Sequence, residues 1–180
     1  KPLVESSGIL KIGFNIKFSA VLLAQHGITM RNLDDAQLMA YALDAGRNSH
    51  ALSSLAELWF GHAVIGESEL IGSGKNKLTF DQVAIDRATA YSAEDADITL
   101  QLHRCLHPRV AADPKLDHVY TAIEMPVREI LFEMEREGVM LDTALLAAQS
   151  GELGAKVMAL EEKAYGLAGQ PFNLGSPKQI

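Results

Sequence analysis

Cysteine is nearly missing from this sequence, and the single thiol, Cys105, excludes an intrachain disulfide. No segment at the start joins a basic region, an apolar core and a small-residue cleavage site, the pattern of a secretory leader. Both absences fit a cytoplasmic setting. Long apolar runs are lacking too: the longest are broken by Lys, His, Asp or Glu within about a dozen positions, short of the roughly 20 residues that cross a bilayer. No membrane partner is expected. Positive charge is scarce, with 16 Lys and Arg against 23 Asp and Glu and a formal net charge of −7. That balance argues against a surface that holds nucleic acid by bulk electrostatics, which needs clustered cations against the phosphates. An acidic domain working on nucleic acid would need divalent cations, a local basic patch or a basic neighbour. The six histidines have no ligand spacing, and no Gly-rich phosphate loop, nucleophile elbow, repeat or low-complexity tract appears.

What is present is a globular composition, 48% hydrophobic and 22% charged over 180 residues, enough for one domain or for one domain and part of another. The run Ile9 to Phe14 predicts a buried strand and turn, followed by a helix from Lys17 to His26 closed by Gly27. Ile28 to Met30 is a candidate second strand. Asp34 or Asp35 then caps a helix through Leu38, Met39, Tyr41 and Ala42, ended by Gly46. Ser49 or Ser53 is expected to cap a helix carrying Leu52, Leu55, Leu58 and Trp59 up to Gly61, with 61 to 79 as loop. A long helix should run from Thr79 to about His107-Pro108, and the polar stretch from Pro108 to Pro114 marks a domain boundary, dividing the chain into 1–112 and 113–180. Helices from about Leu116 to Glu137 and Asp142 to Leu167 follow. Trp59 and Phe80 are expected in the core. The result is an α/β chain, mostly helical, whose lone buried-type strand is expected to join a sheet upstream of Lys1, making the chain a piece of a longer protein.

Chemistry is densest at Tyr91-Ser92-Ala93-Glu94-Asp95-Ala96-Asp97. Tyr91 and Asp95, four positions apart, share a helix face, so a carboxylate could hold a divalent cation while the phenol orients a water. A partly buried tyrosine beside solvated acids fits the same spacing, and Glu94 and Asp97 are expected to point into solvent. Asn15 to Ser19 lies where strand passes into helix, a place that can meet phosphates or be simply capped by Asn15. Gly72-Ser73-Gly74-Lys75-Asn76-Lys77 is a locally basic loop.

Taken together, Lys11 to Phe18, Asp35, Ser54 to Glu57, Gly74 to Phe80 and Tyr91 to Asp97 resemble, in order, the bacterial family A DNA polymerases, the DNA polymerase I family. Ile123-Glu124-Met125-Pro126, Met134 to Val139 and Phe172 to Gln179 are similar to the start of that family's polymerase domain, at the base of its thumb. The resemblance implies a partial ribonuclease-H-like 3′-5′ exonuclease fold, without its first strands, in 1–112, and thumb-base helices in 113–180. It implies a two-metal phosphodiesterase site using Mg²⁺ or Mn²⁺, with Asp95 as metal ligand and Tyr91 positioning the attacking water. Asn15 and Phe18 would line the path of single-stranded DNA, and Lys75 and Lys77 are candidate DNA contacts. Ser19 stands where the family has a metal-binding Asp, Glu67 where it can present an aromatic to the bases, and two further carboxylates would precede Lys1. The resemblance therefore implies a DNA-directed DNA polymerase acting on primer-template, with this part degenerate as an exonuclease and holding no metal by itself. A working proofreading exonuclease is the second reading, and a non-catalytic helical interaction module the third. No oligomer is predicted.

Overall fold

The computed structural model describes residues 1–178, so Gln179, the last residue of the thumb-like motif, lies outside the described residues. The chain forms two compact units, Lys1–Glu137 and the residues from Gly138 onward.

In the first unit a short helix α1 (Pro2–Glu5) precedes strand β1 (Lys11–Gly13), helix α2 (Ile16–Gln25) and strand β2 (Leu33–Asp35). The strands pair in parallel, Lys11 opposite Leu33 and Gly13 opposite Asp35, so the expected strand finds a partner within the chain. That partner is not Ile28 to Met30. The Ile28 N–H is used to close α2 on the Leu23 carbonyl, Thr29 N–H goes to Glu5, and Asn32 turns the chain at φ +54° before pairing begins. Gly13 ends β1 where the Ile16 side chain comes so close that an added Cβ would sit 2.7 Å from it.

Helix α3 (Ala36–Asp44) starts at Asp35, as the sequence suggests, and α4 (Leu52–Phe60) ends at Gly61 in the left-handed conformation. Neither Ser49 nor Ser53 caps α4; its N-cap is Ala51, and the Ser49 hydroxyl accepts the Ala51 N–H in a turn outside the helix. Residues 61 to 79 are not all loop: Glu67–Ile71 forms helix α5, because Leu70 and Ile71 can bury against Val83. Thr79 begins only a short 3₁₀ turn, Phe80–Gln82, closed by a reciprocal cap with Gln82, and the long helix α6 runs Ile85–Ala112.

Pro108 does not end α6. A proline inside a helix costs about 3 kcal/mol, yet Leu102, Leu106 and Val110 form an i, i+4, i+8 stripe buried on both sides of it. That stripe packs with Ala36, Met39 and Ala40 of α3 and Leu55 and Ala56 of α4 to make the core, and burying such side chains outweighs the proline cost. Trp59 is half-buried against this core under the Arg109 guanidinium, 4.3 Å from its ring. Phe80, expected inside, is 53% exposed because it belongs to the short turn rather than to α6.

After α6 come α7 (Pro114–His118), a π-helical segment Val119–Glu124, and α8 (Met125–Glu137), ended by Gly138 at φ +74°. The second unit holds α9 (Thr143–Ala168), started by the Asp142 carboxylate on the Leu145 N–H and closed by left-handed Gly169.

Candidate functional site

An open cleft of about 590 Å³ lies beside α6. One wall is the α6 face carrying Tyr91, Ser92, Asp95 and Thr99; Ile12 and Gly13 of β1 and the following Phe14 line it, and Val64, Ile65, Gly66 and Glu67 contribute a further segment. Tyr91 and Asp95 thus share one face and one cleft, as their spacing predicts.

Tyr91 is fixed from behind. It packs on Leu70, Ile71 and Val83, and Phe80 lies 6.4 Å away, ring to ring. Its phenol pKa is raised, first by burial and then by the charges of Asp95 and Glu67, so both carboxylates are felt at the hydroxyl. Asp95 is also pushed up, by burial and by neighbouring Glu94. Each shift favours the neutral form, and a cation in the cleft would reverse both.

The other expected site residues lie elsewhere. Asn15 is exposed at the head of α2, in the left-handed conformation at φ +51°, and its side chain makes no cap bond. The cap is supplied by Asp35, whose buried carboxylate accepts the N–H groups of Asn15 (3.2 Å) and Ile16 (2.8 Å) as well as those of Gln37 (2.9 Å) and Leu38 (3.4 Å). One carboxylate therefore starts two helices, with burial raising its pKa against those four bonds. Phe18, 61% exposed, and Ser19, also exposed, sit one turn further along α2, and neither lines the cleft. Lys75 is exposed, while Lys77 pairs at 3.4 Å with Glu67, which lines the cleft.

Two groups of functional interest escape sequence reasoning. Glu94 does not point freely into solvent: its carboxylate accepts the Ile65 N–H at 2.7 Å and bonds His62 Nε2 at 2.8 Å, which holds its pKa low. Asp97, by contrast, is exposed and bonded only to Gln101 on its own helix. Asp34, expected as a cap, instead receives the Tyr120 hydroxyl and pairs with His103 Nε2 at 2.7 Å, while the Asp35 N–H donates to Tyr120 Oη at 3.0 Å. The partners are 69 and 86 residues away in sequence, so no local spacing could signal them.

A two-metal centre needs several carboxylates around one point. Asp95 is the expected ligand in the cleft, Ser19 brings a neutral hydroxyl and does not line it, and no group of three or more His, Cys, Asp or Glu able to hold a metal occurs among the described residues. Those residues by themselves do not fit such a centre. No helix among them is long and apolar enough to cross a membrane.

Along its whole length the chain is similar to DNA polymerase I of Rhizobium leguminosarum, with 45% identity over 180 residues covering 18% of that protein. It is similar to DNA polymerase I of Pseudomonas aeruginosa as well, with 46% identity over 183 residues covering 20%. The chain spans about a fifth of the length of these curated relatives. Its fold matches a solved structure described as the POL domain of Pol1 from M. smegmatis in complex with DNA primer-template and dNTP. The TM-score is 0.62 at 26% identity, over 98% of this chain and 28% of that one. Residues 1–111 match the 3′-5′ exonuclease model of the family A DNA polymerases, and the chain belongs to that family.

Proposed function

We propose that this chain is the exonuclease-like part, residues 1–112, and the thumb-base helices, residues 113–180, of a DNA-directed DNA polymerase of the bacterial cytoplasm. In this reading the cleft along α6 receives a single-stranded 3′ end without hydrolysing it, and copying of primer-template is done by residues beyond Ile180. Asn15 and Phe18 at the head of α2 are the proposed strand contacts, with Lys75 and Lys77 meeting phosphates. Asp95 and Tyr91 are the ancestral metal-binding and water-positioning residues.

The observation that carries the reading is the donor set: Asp95 lines the cleft, but position 19 offers an exposed hydroxyl where the resemblance to the family implies a metal-binding Asp. A neutral oxygen does not replace the charge that holds Mg²⁺ or Mn²⁺. The test uses the full-length protein with a 3′-labelled single strand and Mn²⁺. Primer extension with no shortening of the single strand is expected; metal-dependent shortening, abolished by Asp95→Ala, overturns the loss of hydrolysis.

One observation favours a second reading, a working exonuclease. Glu67 shares the cleft with Asp95, and its charge reaches Tyr91, so it could supply a carboxylate that position 19 lacks. In that case Glu67→Gln would abolish single-strand degradation by the full-length protein.

A further inference from the structure

The segment from Gly61 to Gly66 links α4 to α5 and carries no regular structure. It nevertheless forms part of the wall of the cleft that holds Tyr91 and Asp95, through Val64, Ile65 and Gly66. A loop of this kind keeps a fixed distance from the facing helix only if something ties it there. The tie is Glu94. It sits on α6 immediately before Asp95, with its side chain only 19% exposed, and its two oxygens take separate partners from the loop: Oε2 accepts the Ile65 N–H at 2.7 Å, and Oε1 bonds His62 Nε2 at 2.8 Å. Both partners belong to the 61–66 segment, so a single carboxylate pins it at two points three residues apart. Hydrogen bonds to an ionised acceptor are about twice as strong as neutral ones.

Adjacent positions on a helix point about 100° apart. Asp95 can therefore face the cleft while Glu94 grips the loop beside it. The placement of the 62–66 segment against the α6 face is then set in part by a residue that does not line the cleft. We propose that Glu94 is a positioning residue: it holds the 62–66 wall at the separation from Tyr91 and Asp95 that admits one unpaired nucleic-acid strand. The proposal rests on the reading of the cleft as a single-strand site. Glu94 touches no strand itself and acts only through Ile65 and His62.

Two measurements on the full-length protein test it. The first is the affinity for a fluorescent oligothymidylate in EDTA, and the second is amide hydrogen exchange across 62–67. Glu94→Ala should weaken oligothymidylate binding about fivefold or more, in line with losing a charge-assisted bond. It should also raise exchange at Ile65, with α6 protection unchanged. Glu94→Gln keeps an oxygen for the Ile65 N–H and an amide for the imidazole, and should restore much of both. Asp97→Asn, which removes a charge from the same helix without touching the loop, should change neither.

Exchange at Ile65 that stays as in the unaltered protein, or that rises with unchanged affinity, overturns the positioning role alone. If the unaltered protein fails to bind oligothymidylate while Glu94→Ala still loosens Ile65, the single-strand reading of the cleft falls and takes the proposed role with it.

Discussion

Position 19 concentrates the functional question in one side chain. Serine and aspartate are close in size, and Ser19 is exposed on α2, so Ser19→Asp should cost little stability while adding the charge that the proposed metal site lacks. Position 19 does not line the cleft of Asp95 among the described residues, so the variant tests whether the two serve one metal in the full-length protein: there Ser19→Asp should raise Mn²⁺ affinity, read by calorimetry or paramagnetic broadening, and Asp95→Ala should remove whatever is gained. Unchanged Mn²⁺ binding in Ser19→Asp would mean that the site has decayed beyond a single ligand. The Tyr91-Asp95 face was legible because helical spacing is a local property. The roles of Glu94 and Asp34 were not, since each depends on partners brought close only by the fold.

Among the elements, β2 and the π-helical segment do more than their length suggests. Asp35 starts α2 and α3 with one carboxylate, and the neighbouring Asp34 ties α6 through His103 and the π-helical segment through Tyr120. Tyr120 is buried, and its oxygen both donates to Asp34 and accepts from the Asp35 N–H. Tyr120→Phe leaves both partners short of a bond and should lower unfolding free energy by about 1 to 3 kcal/mol, measured by urea denaturation. The pH dependence separates two carboxylates of opposite sense. Burial raises Asp35, so its contribution is fully present below the ordinary carboxylate pKa and is lost as pH rises through the raised value. Glu94 is lowered by Ile65 and His62, so its contribution is present above the ordinary value and is lost as pH falls through the lowered one. Urea midpoints taken from neutral pH down to about 3 should therefore fall less steeply in acid for Glu94→Gln than for the unaltered protein; equal slopes would show that Glu94 makes no net contribution. The first strand and helix ends marked by Gly or Asp were readable from sequence, as at Gly27, Gly61, Asp35 and Asp142, whereas the second strand was not: it is Leu33–Asp35 rather than Ile28 to Met30. Where tertiary packing outweighed a local signal, as at Pro108 and at Leu70-Ile71, reading failed.

At the scale of the whole molecule, the polar stretch from Pro108 to Pro114 looks like a boundary in sequence, and the exonuclease match ends at residue 111. The physical unit nevertheless extends to Glu137. α6 crosses Pro108 unbroken, Tyr120 is part of the core with Leu106 and Val110, Leu116 and Met125 pack against it, and α8 lies along α2 with Lys17 paired to Glu135. An evolutionary module and a folding unit need not share an edge, because folding cooperativity follows buried contacts rather than sequence ancestry. Two truncations of the protein distinguish them. Ending it after Glu137 retains Tyr120, Leu116 and Met125 and should leave the unfolding transition of this unit cooperative. Ending it after Ala112 removes all three and exposes the α6 stripe they cover; the loss of a large buried side chain alone is worth about 3 to 5 kcal/mol, a sizeable share of a domain's typical margin of about 5 to 15 kcal/mol. Thermal melts followed by circular dichroism should show a sharp transition for the longer form and a lowered or broadened one for the shorter. Equal transitions would mean that the segment after Ala112 rests on the exonuclease-like fold without supporting it.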